Sequence, residues 1–113
     1  MLRALCRIED IPDGCARGFA APPGGFIGLF AVRRREQVFV YLNSCPHIGV
    51  PLDWAPERFL SGDGNRIVCS THGAEFRIED GLCTAGPCLG GALEAIMIEL
   101  RDGVIFVPDD AGL

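Results

Sequence analysis

Two short cysteine–histidine motifs restrict the fold of this chain more than any other feature of its sequence. Cys45 and His47 are separated by one residue, Cys69 and His72 by two, and the chain has no other histidine. Each motif offers one thiolate and one imidazole, and transition metals bind such mixed sulfur and nitrogen sets. We therefore expect a fold that brings the two motifs together at one metal centre.

Two inorganic groups fit a set of two cysteines and two histidines. One is a structural zinc ion with four tetrahedral ligands. The other is a [2Fe-2S] cluster in which two histidines replace two cysteines on one iron. Zinc fingers with this ligand set usually place the two cysteines together and the two histidines together, whereas each motif here is mixed. The mixed spacing favours the cluster, and a zinc-stabilised binding module is the alternative.

Length and charge exclude several classes of protein. The chain of 113 residues is expected to form a single domain, residues 1–113. Its formal charge of -5 argues against nucleic acid and membrane partners, which need a basic surface. The N-terminus has no apolar h-region, so we expect no signal peptide, and the longest apolar run, Phe26 to Val32, is much shorter than the roughly 20 residues of a membrane span. We expect a cytoplasmic protein whose six cysteines are metal ligands or buried thiols rather than disulfides.

Short apolar stretches between turn residues predict an all-β domain. No long segment has the 3.6-residue periodicity of an amphipathic helix. Arg34 and Arg35 should separate two strands, and Glu79–Gly81 should turn a later hairpin. The stretch from Leu42 to Ile67 lacks strand character, and a loop of that length is usually functional. The predicted strands are Leu2–Ile8, Phe26–Arg33, Gln37–Leu42, Arg66–Cys69, Ala74–Ile78, Leu93–Leu100 and Val104–Val107.

Cys45-Pro46-His47-x-Gly49 followed by Cys69-x-x-His72-Gly73 resembles the motif pair of the Rieske [2Fe-2S] domain family. The resemblance covers almost the whole chain, with strands before the first motif and a hairpin after the second. It implies a Rieske-type fold of small antiparallel β-sheets. It also implies a cluster-binding loop subdomain at about residues 43–90.

The resemblance implies a role for each ligand of one [2Fe-2S] cluster per chain. Cys45 and Cys69 would bind the buried ferric iron. His47 and His72 would bind the outer iron near the surface. Gly86-Pro87-Cys88 stands in the place of the family's proline-containing loop, which would lie over the cluster and shield it from water.

Several positions depart from the pattern of respiratory Rieske proteins. Val50 and Thr71 stand where those proteins carry the cysteines of an extra disulfide, so that disulfide cannot form. Ala74 replaces a serine whose hydroxyl would bond to a sulfide and stabilise the reduced cluster. Both departures imply a potential at the low end of the Rieske range, on the order of -150 mV. The segment Asp53–Phe59, which lies between the two motifs, is not a familiar sequence signature of the family.

The chain therefore resembles the soluble Rieske-type ferredoxins that serve bacterial ring-hydroxylating oxygenases. Such a protein is a one-electron carrier and not an enzyme, and it would pass electrons from a flavin-containing reductase to a terminal oxygenase. A complete oxygenase is excluded, because no histidine is left for the 2-His-1-carboxylate triad of a mononuclear iron. A Rieske subunit bound tightly within a reductase complex is a further alternative. We expect a monomer.

The remaining cysteines, arginines and aromatic residues have plainer interpretations. Cys83 and Cys88 are expected to be buried or loop-covering thiols, with an oxidisable pair as the alternative. Arg33–Arg35 is interpreted as a solvated hairpin tip. Side chains expected to pack the core or the long loop are Cys6, Cys15, Trp54 and Phe59.

Overall fold

A computed structural model describes residues 2–20, 28–44, 59–61, 64–69, 73–86 and 89–111. Within these ranges the chain forms ten short strands and one 3-10 helix, Ile8–Asp10. The strands are β1 (Leu2–Arg7), β2 (Ala16–Phe19), β3 (Leu29–Arg34), β4 (Gln37–Leu42), β5 (Arg66–Cys69), β6 (Ala74–Arg77), β7 (Cys83–Ala85), β8 (Ala95–Ile96), β9 (Glu99–Arg101) and β10 (Val104–Pro108). The same ranges contain no helix of the length and apolarity that a bilayer crossing requires.

The strands of the described chain form three antiparallel sheets. The terminal sheet has the order β1-β10-β9, the middle sheet β2-β3-β4-β8, and the hairpin sheet β5-β6-β7. Neighbouring strands are antiparallel in all three sheets. This arrangement confirms the predicted all-β fold of small antiparallel sheets.

Strand β3 is buried on both faces and therefore belongs to two cores. Its first four residues are all apolar and at most 1% exposed: Leu29, Phe30, Ala31 and Val32. Phe30 and Val32 pack with residues of the hairpin sheet, whereas Leu29 and Ala31 pack with residues of the terminal sheet. Because successive side chains of a strand point to opposite faces, the middle sheet lies between the other two sheets.

Phe59 attaches the chain that precedes β5 to the middle sheet. Its buried ring stacks on Phe30, with ring centroids 4.6 Å apart and planes 7° apart. Gly18 makes room for the ring, because a Cβ at this position would lie 3.1 Å from it. The Phe59 carbonyl accepts a 2.8 Å hydrogen bond from the Val68 N–H. The predicted packing role of Phe59 is confirmed, whereas Trp54 lies outside the described residues.

Tyr41 connects the middle sheet to the turn between β6 and β7. Its buried hydroxyl donates a hydrogen bond to the Ile78 carbonyl. The turn fits closely around the ring, since a Cβ at Gly81 would lie 2.9 Å from it. Burial, with smaller contributions from the carboxylates of Asp80 and Glu79, raises the pKa of Tyr41 to about 12. The bond thus fixes the hairpin sheet to β4 only while the phenol is protonated.

One predicted strand is wrong in extent. The stretch Leu93–Leu100 is divided into β8, which pairs with β4, and β9, which pairs with β10. Met97 lies between them and is 85% exposed. Alternating apolar residues such as Ile96 and Ile98 indicate a buried face, but they do not reveal that the two halves pair with strands of different sheets.

The other strand boundaries lie close to the predicted ones. Gln37–Leu42 and Arg66–Cys69 are confirmed as predicted, and β1, β6 and β10 end within one residue of the prediction. Strand β3 extends to Arg34, so the break falls at Arg35 and Glu36 instead; Phe26 at its predicted start lies outside the described residues. Strand β2 has no counterpart among the predicted strands, and β7 completes the hairpin predicted at the Glu79–Gly81 turn, for which no strand range was predicted.

Two of the three adjacent arginines are held by neighbouring elements. Arg33 donates hydrogen bonds to the carbonyls of Ile11 and Arg35, at 2.9 and 2.6 Å. Arg34 forms an ion pair with Glu79 in the turn between β6 and β7. The interpretation of Arg33–Arg35 as a solvated tip is therefore wrong for Arg33, and holds for Arg34, whose ion pair is at the surface, and for the exposed Arg35.

The raised pKa of the chain's single tyrosine predicts a loss of stability at alkaline pH. Because the folded pKa lies above the ordinary value of 10.0, the stabilisation is fully present below pH 10 and is lost as the pH rises through about 12. We expect the stability advantage of the wild type over Tyr41→Phe to shrink across this interval. Denaturant unfolding of both proteins measures the advantage. An advantage that stays constant with pH contradicts the prediction.

Candidate metal centre

Cys69 lies at the inner end of the hairpin formed by β5 and β6. It is the last residue of β5, is 0% exposed and pairs in register with Ala74, the first residue of β6. The Gly73 N–H donates a 2.8 Å hydrogen bond to the Cys69 carbonyl. Gly73 has a φ of +72°, a left-handed conformation that glycine adopts without strain. The glycine of the second motif thus helps to close the connection that contains His72.

Gly86 packs against this end of the hairpin. A Cβ at Gly86 would lie 2.7 Å from the Ala74 Cα, so the two backbones are in direct contact. The Leu89 N–H donates a 3.2 Å hydrogen bond to the Gly86 carbonyl, and Leu89 is 70% exposed. Gly86 therefore lies beside the hairpin end that carries Cys69, while Pro87 and Cys88 lie outside the described residues, so the covering of the cluster by this segment stays a prediction. Leu89, which stands between Cys88 and Gly90 in an uncharged stretch, was not singled out from the sequence.

The structure describes the approach to the first motif but not the motif itself. Strand β4 ends at Leu42, whose N–H donates to the Glu94 carbonyl at 2.9 Å. The next residue, Asn43, donates its N–H to the Gly28 carbonyl at 2.9 Å, and Ser44 is the last residue described before Cys45.

Of the four predicted ligands, the structure therefore places only Cys69. Cys45, His47 and His72 lie outside the described residues. Their convergence on one centre stays a prediction.

The other cysteines of the described chain have separate environments. Cys83 is buried, as predicted, and its thiol donates a 3.2 Å hydrogen bond to the Ala85 carbonyl. Cys6 is half-buried against the core of the terminal sheet, and burial raises the pKa of its thiol. Cys15 is exposed, so its prediction as a core residue is wrong. It directly precedes β2, where its backbone pairs with Arg33 while the side chain stays outside the core.

The residues at the Cys69 end of the hairpin fit a metal group that is bound through sulfur on its buried side. Cys69 belongs to an apolar core, where an unpartnered thiolate would be costly but a metal-bound one is stabilised. Its neighbours along and across the hairpin, Gly73, Ala74 and Gly86, are small and uncharged. Large side chains at these positions would fill the space next to the hairpin end, and none is present among the three.

The fold and this hairpin define a small all-β domain with a cysteine–histidine connection at one end. The family model of the Rieske [2Fe-2S] domain matches residues 3–99, and the chain therefore belongs to this family. Because this domain is named for the [2Fe-2S] cluster that it binds, the match confirms the predicted cofactor. A search of curated proteins found no match.

Several solved structures with a similar fold belong to carbazole 1,9a-dioxygenase. A chain in a complex of reduced oxygenase and oxidised ferredoxin of carbazole 1,9a-dioxygenase has a TM-score of 0.74 and 24% identity, covering 94% of this chain and 91% of that chain. The ferredoxin of carbazole 1,9a-dioxygenase from Nocardioides aromaticivorans IC177 has a TM-score of 0.74 and 21% identity, with coverages of 95% and 96%. A chain in the reduced oxygenase–ferredoxin complex matches with a TM-score of 0.76 and 18% identity, covering 94% of this chain and 27% of that one. At these identities, the similarity shows the fold.

Replacement of the buried cysteine tests the candidate centre directly. We expect Cys69→Ser to lose most of the bound iron and acid-labile sulfide, because a serine hydroxyl is a poor substitute for a thiolate ligand. Cys15→Ser is the matched control, since Cys15 is exposed and belongs to no predicted ligand set. Iron and sulfide analysis of both variants provides the measurement. Equal cluster content in the two variants contradicts a ligand role for Cys69.

Proposed function

We propose that this chain is a one-electron carrier that transfers electrons from a flavin-containing reductase to a terminal oxygenase. In this proposal, Cys45, His47, Cys69 and His72 hold the cluster within a single domain, residues 1–113, whose cluster-binding region covers about residues 43–90. The protein acts as a cytoplasmic monomer and catalyses no reaction of its own. The observation that carries the proposal is the burial of Cys69 at the end of a hairpin whose connection contains the second histidine motif.

The change in burial along this connection supports the division of ligands between two irons. Cys69 is 0% exposed, whereas Gly73, four residues later, is exposed. The chain therefore passes from the core to the surface between these two residues. His72 directly precedes Gly73, which suits a ligand of the outer iron, and Cys69 suits a ligand of the inner one.

The hydrogen bond between Tyr41 and Ile78 supports the convergence of the two motifs. Cys45 follows Tyr41 by four residues, and Ala74 precedes Ile78 by the same number. An extended chain advances about 3.3 Å per residue, so each stretch spans at most roughly 13 Å. Cys45 thus has the reach to come alongside Ala74 and its register partner Cys69, as a shared cluster requires.

The protein supplies burial and position rather than reacting groups. When bound, the cluster provides a site that gains and loses one electron. Cys69 holds its inner side within the core, and Gly86 packs beside the hairpin that carries this ligand. Ala74 offers no hydroxyl for a hydrogen bond to sulfur, which favours a low potential. Leu89 is exposed close to Gly86, and an apolar side chain at this end suits brief contact with a redox partner.

The similar structures support an oxygenase as the electron acceptor. Two of them are described as complexes of an oxygenase with a ferredoxin in carbazole 1,9a-dioxygenase. The ferredoxin of that system from Nocardioides aromaticivorans IC177 is matched over 96% of its chain, so the two chains have similar extents.

A redox titration of the anaerobically purified protein tests the proposed function. We expect one [2Fe-2S] cluster per chain, a one-electron transition near the low end of the Rieske range, on the order of -150 mV, and a paramagnetic signal only after reduction by dithionite. Absorbance under controlled potential and electron paramagnetic resonance provide the measurements.

Two results of this titration contradict the proposal in different ways. A colourless protein with one zinc ion and no sulfide supports the zinc-stabilised binding module instead. A cluster with a potential near the upper end of the Rieske range, roughly +300 mV, contradicts a carrier of low-potential electrons.

A further inference from the structure

A surface cleft of about 550 Å³ lies beside the turn between β3 and β4. Its lining residues come from this hairpin, from the turn before β2, from the chain before β5 and from the turn after β6. We call it the arginine cleft, because Arg33, Arg34 and Arg35 all line it. Ligand sites of proteins have volumes of roughly 300–1,000 Å³. The arginine cleft therefore has the size of a site for a small molecule.

The most buried residues that line the arginine cleft are apolar. Val32 is 0% exposed, and Phe39, its register partner on β4, is half-buried. Because the two residues lie directly opposite each other, their side chains share one face of the middle sheet. The side-chain amides of Gln37 and Asn65 also line the cleft. An apolar surface with a few polar groups beside it is typical of sites that bind a largely apolar molecule with one polar end.

Arg35 brings a positive charge to this cleft from a backbone that is held on both sides. Its N–H donates a 2.6 Å hydrogen bond to the Asp13 carboxylate, and its carbonyl accepts a 2.6 Å bond from the Arg33 Nε. Arg33 thus binds backbone carbonyls, and Arg34 binds Glu79. Within the described residues, the Arg35 guanidinium has no ion-pair or hydrogen-bond partner. It is therefore available to bind an anion in the cleft.

The backbone conformation of Arg35 is unfavourable for a residue with a side chain. Its φ is +58°, in the left-handed region that clashes with a Cβ. The turn between β9 and β10 also contains positive φ angles, but they belong to Asp102 and Gly103, which are residue types that such turns prefer. Unfavourable backbone conformations that the surrounding structure enforces cluster at ligand-binding and active sites. The conformation of Arg35 therefore agrees with a binding role for its side chain.

The charges that line the arginine cleft fit an anion with a single charge. Three arginines and two carboxylates, those of Asp13 and Glu79, line it, so its net charge is +1 in a chain whose formal charge is -5. A dianion such as phosphate would be repelled by both carboxylates. The planar guanidinium of arginine matches the geometry of a carboxylate. A monocarboxylate is therefore the anion that this cleft fits best.

We propose that the arginine cleft binds a small organic carboxylate with an apolar body. The Arg35 guanidinium binds the carboxylate, and the apolar body lies against Val32 and Phe39. The site is distinct from the metal centre, because Glu79 follows β6 whereas Cys69 pairs with the first residue of this strand. The inference does not depend on the proposed electron-transfer function.

Isothermal titration calorimetry of the cluster-containing protein with phenylacetate tests the proposed ligand class. Acetate lacks the apolar ring, and phenylethanol lacks the charge. We expect saturable binding of phenylacetate that is roughly tenfold tighter than that of either compound, because burial of a ring and a hydrogen bond to a charged group each exceed the energy of a tenfold change in affinity. No saturable binding of phenylacetate overturns the proposal. Equally tight binding of acetate or of inorganic phosphate also overturns it, since the site then does not recognise an apolar carboxylate.

The variant Arg35→Gly separates ligand binding from folding. Glycine adopts a positive φ without strain, and this relief offsets the greater freedom of the unfolded chain, so denaturant unfolding should match that of the wild type. The affinity for phenylacetate should fall roughly tenfold. Arg101→Gln is the matched control, because it removes the same charge from an exposed arginine of β9 outside the cleft, and it should keep the wild-type affinity. Wild-type affinity in Arg35→Gly, or an equal loss in Arg101→Gln, overturns the proposal.

Discussion

The burial of β3 on both faces is the constraint on which the rest of the structure depends. Phe30 and Val32 support the hairpin sheet, and Leu29 and Ala31 support the terminal sheet, so one strand of six residues links two cores. Both flanking sheets therefore pack against the middle sheet. The hairpin that carries Cys69 takes its position from this sheet, because Phe30 and Val32 of β3 belong to the core of the hairpin sheet.

Three contacts transmit that support to the hairpin sheet. Phe59 stacks on Phe30, Tyr41 donates its hydroxyl to the Ile78 carbonyl, and Arg34 pairs with Glu79. The first two are buried and the third is at the surface, where an ion pair contributes little to stability. The buried pair holds both the chain that leads into β5 and the turn that follows β6. Because these contacts hold the hairpin sheet in place, the hairpin end nearest Cys69 needs no bulky side chain for support. Small residues, Ala74 and Gly86, therefore suffice there.

The sequence predicted the parts of this architecture that depend on local patterns. Gln37–Leu42 and Arg66–Cys69 alternate or run apolar between turn residues, and such runs fix a strand whatever it packs against. Which strand a segment pairs with depends on the assembled fold. The sequence therefore could not show that Leu93–Leu100 is divided between two sheets. Cys69 was recognised from its spacing to His72, which is a local signal. The close packing at this end of the hairpin was not predicted. Gly86 contacts Ala74, twelve positions earlier in the sequence, because the pairing of β6 with β7 brings the two residues together.

The charged residues of this chain lie outside the sequence segments that contain the proposed ligands. The chain has 15 carboxylates and a net charge of -5, yet residues 37–52, 67–74 and 81–93 contain no Asp, Glu, Lys or Arg. These three segments contain all four proposed ligands and the glycine that packs against the hairpin. Glu75, next to this region, lines a surface cleft together with Arg34, Arg66 and Glu79. Carboxylates close to a cluster would oppose the extra negative charge of its reduced form, and the energy of that repulsion falls with distance. The proposed ligands thus lie in uncharged segments of an acidic chain, which suits a group that gains negative charge on reduction.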